Sequence, residues 1–245
     1  MLENSLRLID VVLERRGSEF RLGPITYSFG RGVTAVVGVN GAGKSTLFAA
    51  ISGVERITGG VIHRPVGGAG QEGWIGFLPQ GPVFPPSATV DDVLRLLSWT
   101  VGVADPAQEV ARVSAQLDLD ELRRKKVKHL SGGMLRRLGI AQAMIGSPNV
   151  LLLDEPTAGL DPIQRISVRE AIMANCGDVV TLVSTHLVED VRSLADRVLV
   201  LNQGAMVFAG SVQELEALAP LTPSNGESRL ESALTRLYLG GSTDA

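Results

Sequence analysis

The stretch "GVNGAGKS", Gly38 to Ser45, fits the spacing G-x-x-x-x-G-K-[ST] of a loop that wraps a phosphate chain. The backbone N–H groups of Gly38, Asn40, Gly41, Ala42 and Gly43 can cradle a β-phosphate. Lys44 reaches the terminal phosphates, Ser45 can ligate Mg²⁺, and Thr46 can hydrogen-bond an α-phosphate. Glycines belong there because a Cβ would hold the backbone off the anion. An apolar run, "VTAVVG", reads as the strand before the loop. "STLFAAISG" reads as the helix after it, adding its positive end. A phosphate loop needs a metal-holding carboxylate at the end of a neighbouring strand. "VLLLDEP" offers two, Asp154 and Glu155. Successive strand residues face opposite ways, so the two are expected to do different jobs. Asp154 suits Mg²⁺, bound directly or through water. Glu155 suits a general base that orients or deprotonates a water attacking a γ-phosphate.

A second helix start raises a question. "LSGGMLRRLGIAQA", Leu130 to Ala143, sets Ser131 ahead of Gly132 and Gly133. A plain Ser cap accounts for the hydroxyl. It does not account for two glycines, which disfavour a helix and bare its backbone. Exposed N–H groups at a helix start favour an anion, yet the chain already has a phosphate loop.

The elements that position these residues follow from patterning. "LRLIDVVLE" and "ITYSFG" alternate like half-buried strands, with Gly23 and Pro24 breaking the stretch between them. "GGVIHRP" suggests another short strand. Helical spacing runs through "GPVFPPSATVDDVLRLLSW", which opens on a capping pattern, then "PAQEVARVSAQLDL" and "MLRRLGIAQAMIG". "NVLLLDEP" and "VVTLVSTH" are continuous apolar runs, as expected of central strands in a covered parallel sheet. The helix "DPIQRISVREAIMANCG" lies between them. "DRVLVLNQGAMVFAG" reads as a hairpin. The tail ends with Leu230, Ala233, Leu234, Leu237 and Tyr238 on one helical face.

The 245 residues are enough for one large α/β domain or two small ones, and ample for a core. A net charge of −3 gives no electrostatic case for nucleic acid. The single cysteine, Cys176, excludes an internal disulfide and fits a reducing compartment. The N-terminal stretch lacks a secretory signal pattern, and the longest aliphatic runs fall far short of a membrane span. "ELRRKKVKHL" clusters Arg123, Arg124, Lys125, Lys126 and Lys128. It reads as a solvated face, with lipid headgroups or a membrane subunit as the functional alternative. His63 and His129 read as ordinary structural histidines.

Five motifs stand in one order: "GVNGAGKST", "LPQ" with Gln80, "LSGGM", "LLLDEPTAGLD", and "VSTH" with His186. With them the chain, from about Leu6 to Gly210, resembles the nucleotide-binding subunit of an ABC transporter. The resemblance implies an α/β fold of the P-loop NTPase type. It has a RecA-like, mainly parallel core sheet, an N-terminal antiparallel β subdomain and an inserted helical subdomain at about 82–146. The whole of 1–245 is then one ABC ATPase domain with a tail at about 220–245. It further implies ATP and Mg²⁺ as ligands, and two such domains, identical or related, facing head to tail. Ser131, Gly132 and Gly133 would then hold the γ-phosphate of the partner's ATP, which answers the question of the second helix start. By the same resemblance Gln80 touches Mg²⁺ and the attacking water, His186 links the γ-phosphate to Glu155, and Asp161 communicates between the two sites.

Two positions depart from the family pattern. Arg16 stands where an aromatic residue often stacks on adenine, and either its guanidinium plane or Phe20 would substitute. Met134 stands where Gln is common. The resemblance also places the chain on the cytoplasmic face of a membrane, with permease subunits as separate polypeptides docking near Gln80 and the following helices. The phrase "STHLVEDVRSLADRVLVLNQGAMVFAG" looks like subunits that power exporters of drugs, antibiotics or polysaccharides. The alternatives are a non-transport ABC ATPase with soluble partners, as in cluster assembly, and a non-hydrolysing nucleotide switch.

Overall fold

The computed structural model describes residues 5–15, 17, 19–65, 73–177, 179–220 and 227–239. An antiparallel sheet of order β2-β1-β4 is built from β1 (Leu6–Glu14), β2 (Arg21–Phe29) and β4 (Gly59–His63). The β1–β2 register shifts between Leu8 and Val11, where Asp10 takes φ 49°. That bulge lets Leu8 and Val11, three residues apart, both face the core. Gly23 and Pro24 do not break the second strand, as the sequence suggested; both lie inside β2. β2 is an edge of this sheet, so the missing N–H of Pro24 costs no central ladder bond.

The second sheet has the order β5-β6-β7-β3-β8-β9. Its strands are β3 (Gly32–Val37), β5 (Ile75–Leu78), β6 (Val150–Asp154), β7 (Val180–Thr185), β8 (Arg197–Asn202) and β9 (Ala205–Ser211). All neighbours are parallel except β9, which returns antiparallel on β8. Every residue of β6 and β7 is buried, which is why they read as mainly apolar runs, with Thr181, Ser184, Thr185 and Asp154 as buried polar exceptions. β6 feeds two cores. Leu151 and Leu153 join the helical side, while Val150 and Leu152 pack toward the antiparallel sheet and α1 (Lys44–Ser52). Leu152 is fully buried, and cutting it to Ala costs about 2–5 kcal/mol. The β8–β9 turn carries Gln203 and Gly204 at φ 47° and 82°, the doubly positive pair that a tight hairpin needs.

β5 has no counterpart in the sequence reading. It is only four residues long, and its Gly76 breaks the apolar run because a helix crosses it closely. A Cβ there would meet Ala143 O at 1.8 Å. Between β5 and β6 lie α2 (Val90–Thr100), α3 (Pro106–Gln116) and α4 (Gly132–Met144), with single 3₁₀ turns at Asp120–Leu122 and Val127–His129. A reciprocal Thr89–Asp92 capping box starts α2, and Asp105 with Pro106 starts α3. After β6 come α5 (Pro162–Cys176), α6 (Val188–Leu194), α7 (Val212–Ala217) and α8 (Arg229–Tyr238). The short α6 and α7 escape periodicity, although Ser211 and Glu214 form a capping box that marks α7. Leu230, Ala233 and Leu234 of α8 are buried with β8 and α7 in a third core. Among the described residues no helix is long and apolar enough to cross a membrane.

Candidate functional site

The parallel sheet delivers its chemistry at one end. β3 runs into the phosphate loop, and β6 and β7 end at Asp154 and Thr185, beside Glu155 and His186. The loop turns on Gly41 at φ 82° and Gly43 at φ 108°, values that L side chains rarely adopt. Its position is fixed by Ala42, whose carbonyl accepts from Gly204 N at 3.0 Å. Lys44, at the head of α1, is buried. Its Nζ donates to Gly38 O at 2.7 Å and Val39 O at 3.3 Å. Burial lowers its pKa, and the nearby carboxylates of Glu155 and Asp154 oppose that shift.

Glu155 does not follow the strand alternation expected from the sequence. It lies one residue past β6, at φ 48°, so a left-handed turn rather than the pleat separates it from Asp154. Its N–H donates to Ser184 O at 3.1 Å and Ser184 Oγ at 2.9 Å, which over-determines that turn. The carboxylate is buried and surrounded. Gln80 Nε2 donates to its Oε2 at 3.1 Å, His186 Nδ1 lies 3.2 Å from Oε1, and Lys44 Nζ lies 4.0 Å away. Asp154 is buried beside it and accepts from Ser184 Oγ. Ser184 thus sets the spacing of both carboxylates. The sequence signal for it was a hydroxyl inside an apolar run, two residues before His186.

Two further groups near the carboxylates carry no local sequence signal. Asp190, buried on α6, accepts from Thr157 Oγ1, from Thr185 Oγ1 at 2.9 Å and from Arg169 Nε at 2.6 Å. It therefore links the segment after Glu155 to the residue before His186. Arg136 on α4 donates to Gln80 O at 2.9 Å and Ala158 O at 3.3 Å.

The phosphate loop opens on a cleft of about 520 Å³. It is lined by Arg15, Phe20, Asn40, Gly41, Gly43, Lys44, Ser45, Thr46, Gln80 and Glu155. Arg16 lies outside the described residues. The residues that line the cleft in that region are Arg15, whose guanidinium pairs with Glu55, and Phe20. The donors fit a nucleotide's magnesium: the exposed Ser45 hydroxyl, the Asp154 carboxylate and the Gln80 amide oxygen, its nitrogen being engaged by Glu155. That is an all-oxygen, low-charge set of the kind that Mg²⁺ completes with water and phosphate.

Ser131 and its glycines are not brought to that cleft. Ser131 and Gly133 line a different one, of about 540 Å³, together with Met134, Arg137, Gln164 and the acidic residues Asp118, Asp120 and Glu121. Ser131 caps α4 by accepting from Met134 N at 3.3 Å, and Ser131 and Gly132 are exposed. Gly133 has a reason within this chain, which the sequence did not disclose. A Cβ there would lie 3.1 Å from Gln164 Cγ of α5. Gly132 has no such constraint, since its Cβ would meet Leu160 at an ordinary 3.4 Å. His63 and His129 are exposed.

The family described as ABC transporter matches residues 23–158, more than half of the chain and inclusive of the phosphate loop, Gln80, the Ser131 helix and both carboxylates. The chain belongs to the ABC transporter family. An ABC transporter ATP-binding protein of Synechocystis is 33% identical over 204 residues, 79% of this chain and 57% of that protein. Human ATP-binding cassette sub-family A member 9 is 35% identical over 188 residues, 73% of this chain and 12% of that one. This ABC chain therefore spans little more than half of its cyanobacterial relatives and a small part of the sub-family A proteins. Among solved structures, an ABC transporter described as of metal-chelate type, in an inward-facing conformation, superposes with a TM-score of 0.76 at 25% identity. The match covers 95% of this chain and 89% of that one. The fold is that of ABC ATPase subunits, a P-loop α/β core with a mainly parallel sheet and an antiparallel sheet beside it.

Proposed function

We propose that this chain hydrolyses ATP with Mg²⁺ to power a membrane transporter. Two such chains, identical or related, would close head to tail on the nucleotide. The observation that carries the reading is the split of the site. Lys44, Gln80 and Glu155 share one cleft, with His186 Nδ1 3.2 Å from the Glu155 carboxylate, while the exposed Ser131 helix start lines another. A γ-phosphate held by Lys44 gains Ser131, Gly132 and Gly133 only from a second chain.

In this reading the loop N–H groups and Lys44 bind the phosphates, and Thr46 takes the α-phosphate. Ser45, Asp154 and Gln80 would hold Mg²⁺, which would supply charge neutralisation at the phosphates. Glu155 accepts a proton from the attacking water, and Gln80 and His186 hold its carboxylate in place. A carboxylate accepts only, so the His186 Nδ1 must donate to Glu155; to hold a phosphate oxygen as well, Nε2 must carry a proton too. Arg15 and Phe20 face the base end of the cleft, and Arg16 remains a candidate there. Asp161, the cap of α5, stands at the segment that would pass signals between sites.

Separate permease subunits are the proposed partners, from the cytoplasmic face of the membrane. Exposed apolar residues support a docking surface: Val83 just after Gln80, Leu96 and Trp99 on α2, and Val54 and Trp74. Val54 and Trp74 border a cleft of about 740 Å³ beside Val101 and Gly146. Export is the proposed direction, resting on the phrase around His186, and the whole chain is proposed to act as one ATPase domain with its helical insert at about 82–146. The test is Glu155→Gln with MgATP, followed by light scattering. Doubling of mass, reversed by also changing Ser131→Arg, supports the reading. A monomer at saturating MgATP sinks closure by identical copies.

A further inference from the structure

We propose that Arg136 is a positioning residue that makes hydrolysis at a chain's own Glu155 depend on what that chain's Ser131 helix start holds at the other site. The inference rests on the head-to-tail reading above. Arg136 lies on α4, little more than one turn after Ser131. Its two donors take main-chain oxygens, Gln80 O at 2.9 Å and Ala158 O at 3.3 Å. Both acceptors belong to segments that place the base. Gln80 holds the Glu155 carboxylate by its amide, and Ala158 N donates to Glu155 O at 3.2 Å. Arg136 therefore grips the backbone of Gln80 and the turn after Glu155, both bonded to Glu155, and none of its hydrogen bonds goes to the Glu155 carboxylate.

The geometry makes the grip a lever rather than a patch. The far half of α4 is seated on β5 with no slack. A Cβ on Gly139 would meet Leu78 Cδ1 at 2.6 Å, and one on Gly76 would meet Ala143 O at 1.8 Å. The N-terminal end is exposed at Ser131 and Gly132. A load on that end, such as a phosphate bound or released, tilts α4 about its seated half. The tilt is passed to Gln80 O and Ala158 O, or it breaks those bonds. The guanidinium suits the task because its planar fork holds two acceptors at a fixed spacing, which an ammonium does not. Burial opposes its charge, and the carboxylates of Glu155 and Asp154 sustain it, so the fork sits within their field.

The experiment compares full-length wild type with Arg136→Lys and Arg136→Met. In the Glu155→Gln background, MgATP should still dimerise Arg136→Met by light scattering, because Ser131 and the phosphate loop are intact. In the active chain, Arg136→Met should lower kcat about tenfold, with KM for MgATP held within about twofold. The Hill coefficient for MgATP should fall from above 1 toward about 1, the sign of lost coupling between sites. Arg136→Lys should recover part of kcat and of the cooperativity. Loss of fold alone would move neither the Hill coefficient selectively nor the order Arg, Lys, Met. If Arg136→Met melts early, Arg136→Lys and Arg136→Gln are read by the same measurements. Unchanged kcat and Hill coefficient, or a wild type without cooperativity, overturn the proposal while leaving the dimer reading intact. A Glu155→Gln chain that stays monomeric in MgATP overturns the dimer reading, and this proposal with it.

Discussion

Two anion-ready helix starts sit on this chain, and they are built in opposite ways. At α1, Gly43 and Lys44 are buried, and the ends of three parallel strands bring Asp154, Glu155 and His186 to the same place. At α4, Ser131 and Gly132 lie open, and the charged neighbours across the cleft are mostly acidic. Asp118, Asp120 and Glu121 would repel a phosphate that only this chain held there. The first start is complete in its own chain. The second is an open surface, and in the head-to-tail proposal its anion would come, already neutralised, from a second chain. The difference teaches where to look for function: in the proposed reading one half does the chemistry, and the other half would recognise that the chemistry is ready.

The sharpest break of the comparison is Glu155→Gln. The amide keeps the shape but cannot take a proton, so turnover should fall by about 10²–10⁴-fold, the usual worth of a general base. Nucleotide affinity, read by titration with a fluorescent ATP analogue, should hold within about threefold, because the phosphate loop is untouched. Equal loss of binding and turnover would make Glu155 a structural residue.

The next largest effect separates the halves from the other side. Ser131→Arg places a long cation at the exposed start of α4. It should abolish MgATP-driven dimerisation and lower turnover by about tenfold or more, while affinity of the single chain for nucleotide stays as it was. A variant that dimerises normally would mean that the second start never meets a nucleotide.

The two halves were also unequally legible in the sequence. The phosphate loop announced itself because its special positions demand particular residue types: Gly41 and Gly43 at positive φ, Gly38 where a Cβ would meet Leu201 O at 2.6 Å, and a lysine at a helix head. The buried strands β6 and β7 were equally plain as apolar runs. What stayed hidden was set by packing. β5 is four residues with a glycine in it, and that glycine is explained only by a helix that crosses it. Glu155 looked like the next strand residue, but its separation from Asp154 comes from a turn that Ser184 holds from another strand. Arg136 acts through contacts 56 and 22 residues away in sequence, and Asp190, besides its neighbour Thr185, through contacts 33 and 21 residues away, where no local pattern points to them.

Gly133 is where the two explanations of the second start compete. Its Cβ would lie 3.1 Å from Gln164 Cγ and 3.3 Å from Gln164 Cβ, so packing inside the chain already asks for glycine. If packing is the whole reason, Gly133→Ala should lower the melting temperature by a few degrees, about 1 kcal/mol, and Gln164→Ala should restore both stability and dimerisation. If the partner's phosphate also needs the bare backbone, the double variant regains its melting temperature and still dimerises poorly. Melting curves and light scattering on the same four proteins decide between them. Head-to-tail closure predicts the second outcome.

The smallest effect belongs at the seated end of α4. Glu109 on α3 accepts from Gly146 N at 2.7 Å, just past the helix. It also pairs with Arg112, which donates to Met144 O at 3.0 Å. The Arg112 guanidinium holds the Glu109 carboxyl below its ordinary value of 4.5 despite partial burial, with the Gly146 N–H adding to the effect. A folded pKa below the unfolded one means stability that is present above about pH 4.5 and is lost as pH falls through the folded value. Glu109→Gln should therefore melt about 2–4 °C below wild type near pH 7, the shift that about 1 kcal/mol gives a chain of this size. The gap should close as the pH drops below 4.5 toward the folded value, because the wild-type carboxyl then becomes neutral too. Turnover should stay within about twofold, since this end of α4 only has to keep its seat on β5. A turnover loss as large as that of Ser131→Arg, at an unchanged melting temperature, would show that the seated end moves as well. The contrast between a fixed half and a loaded half of α4 would then have to be given up.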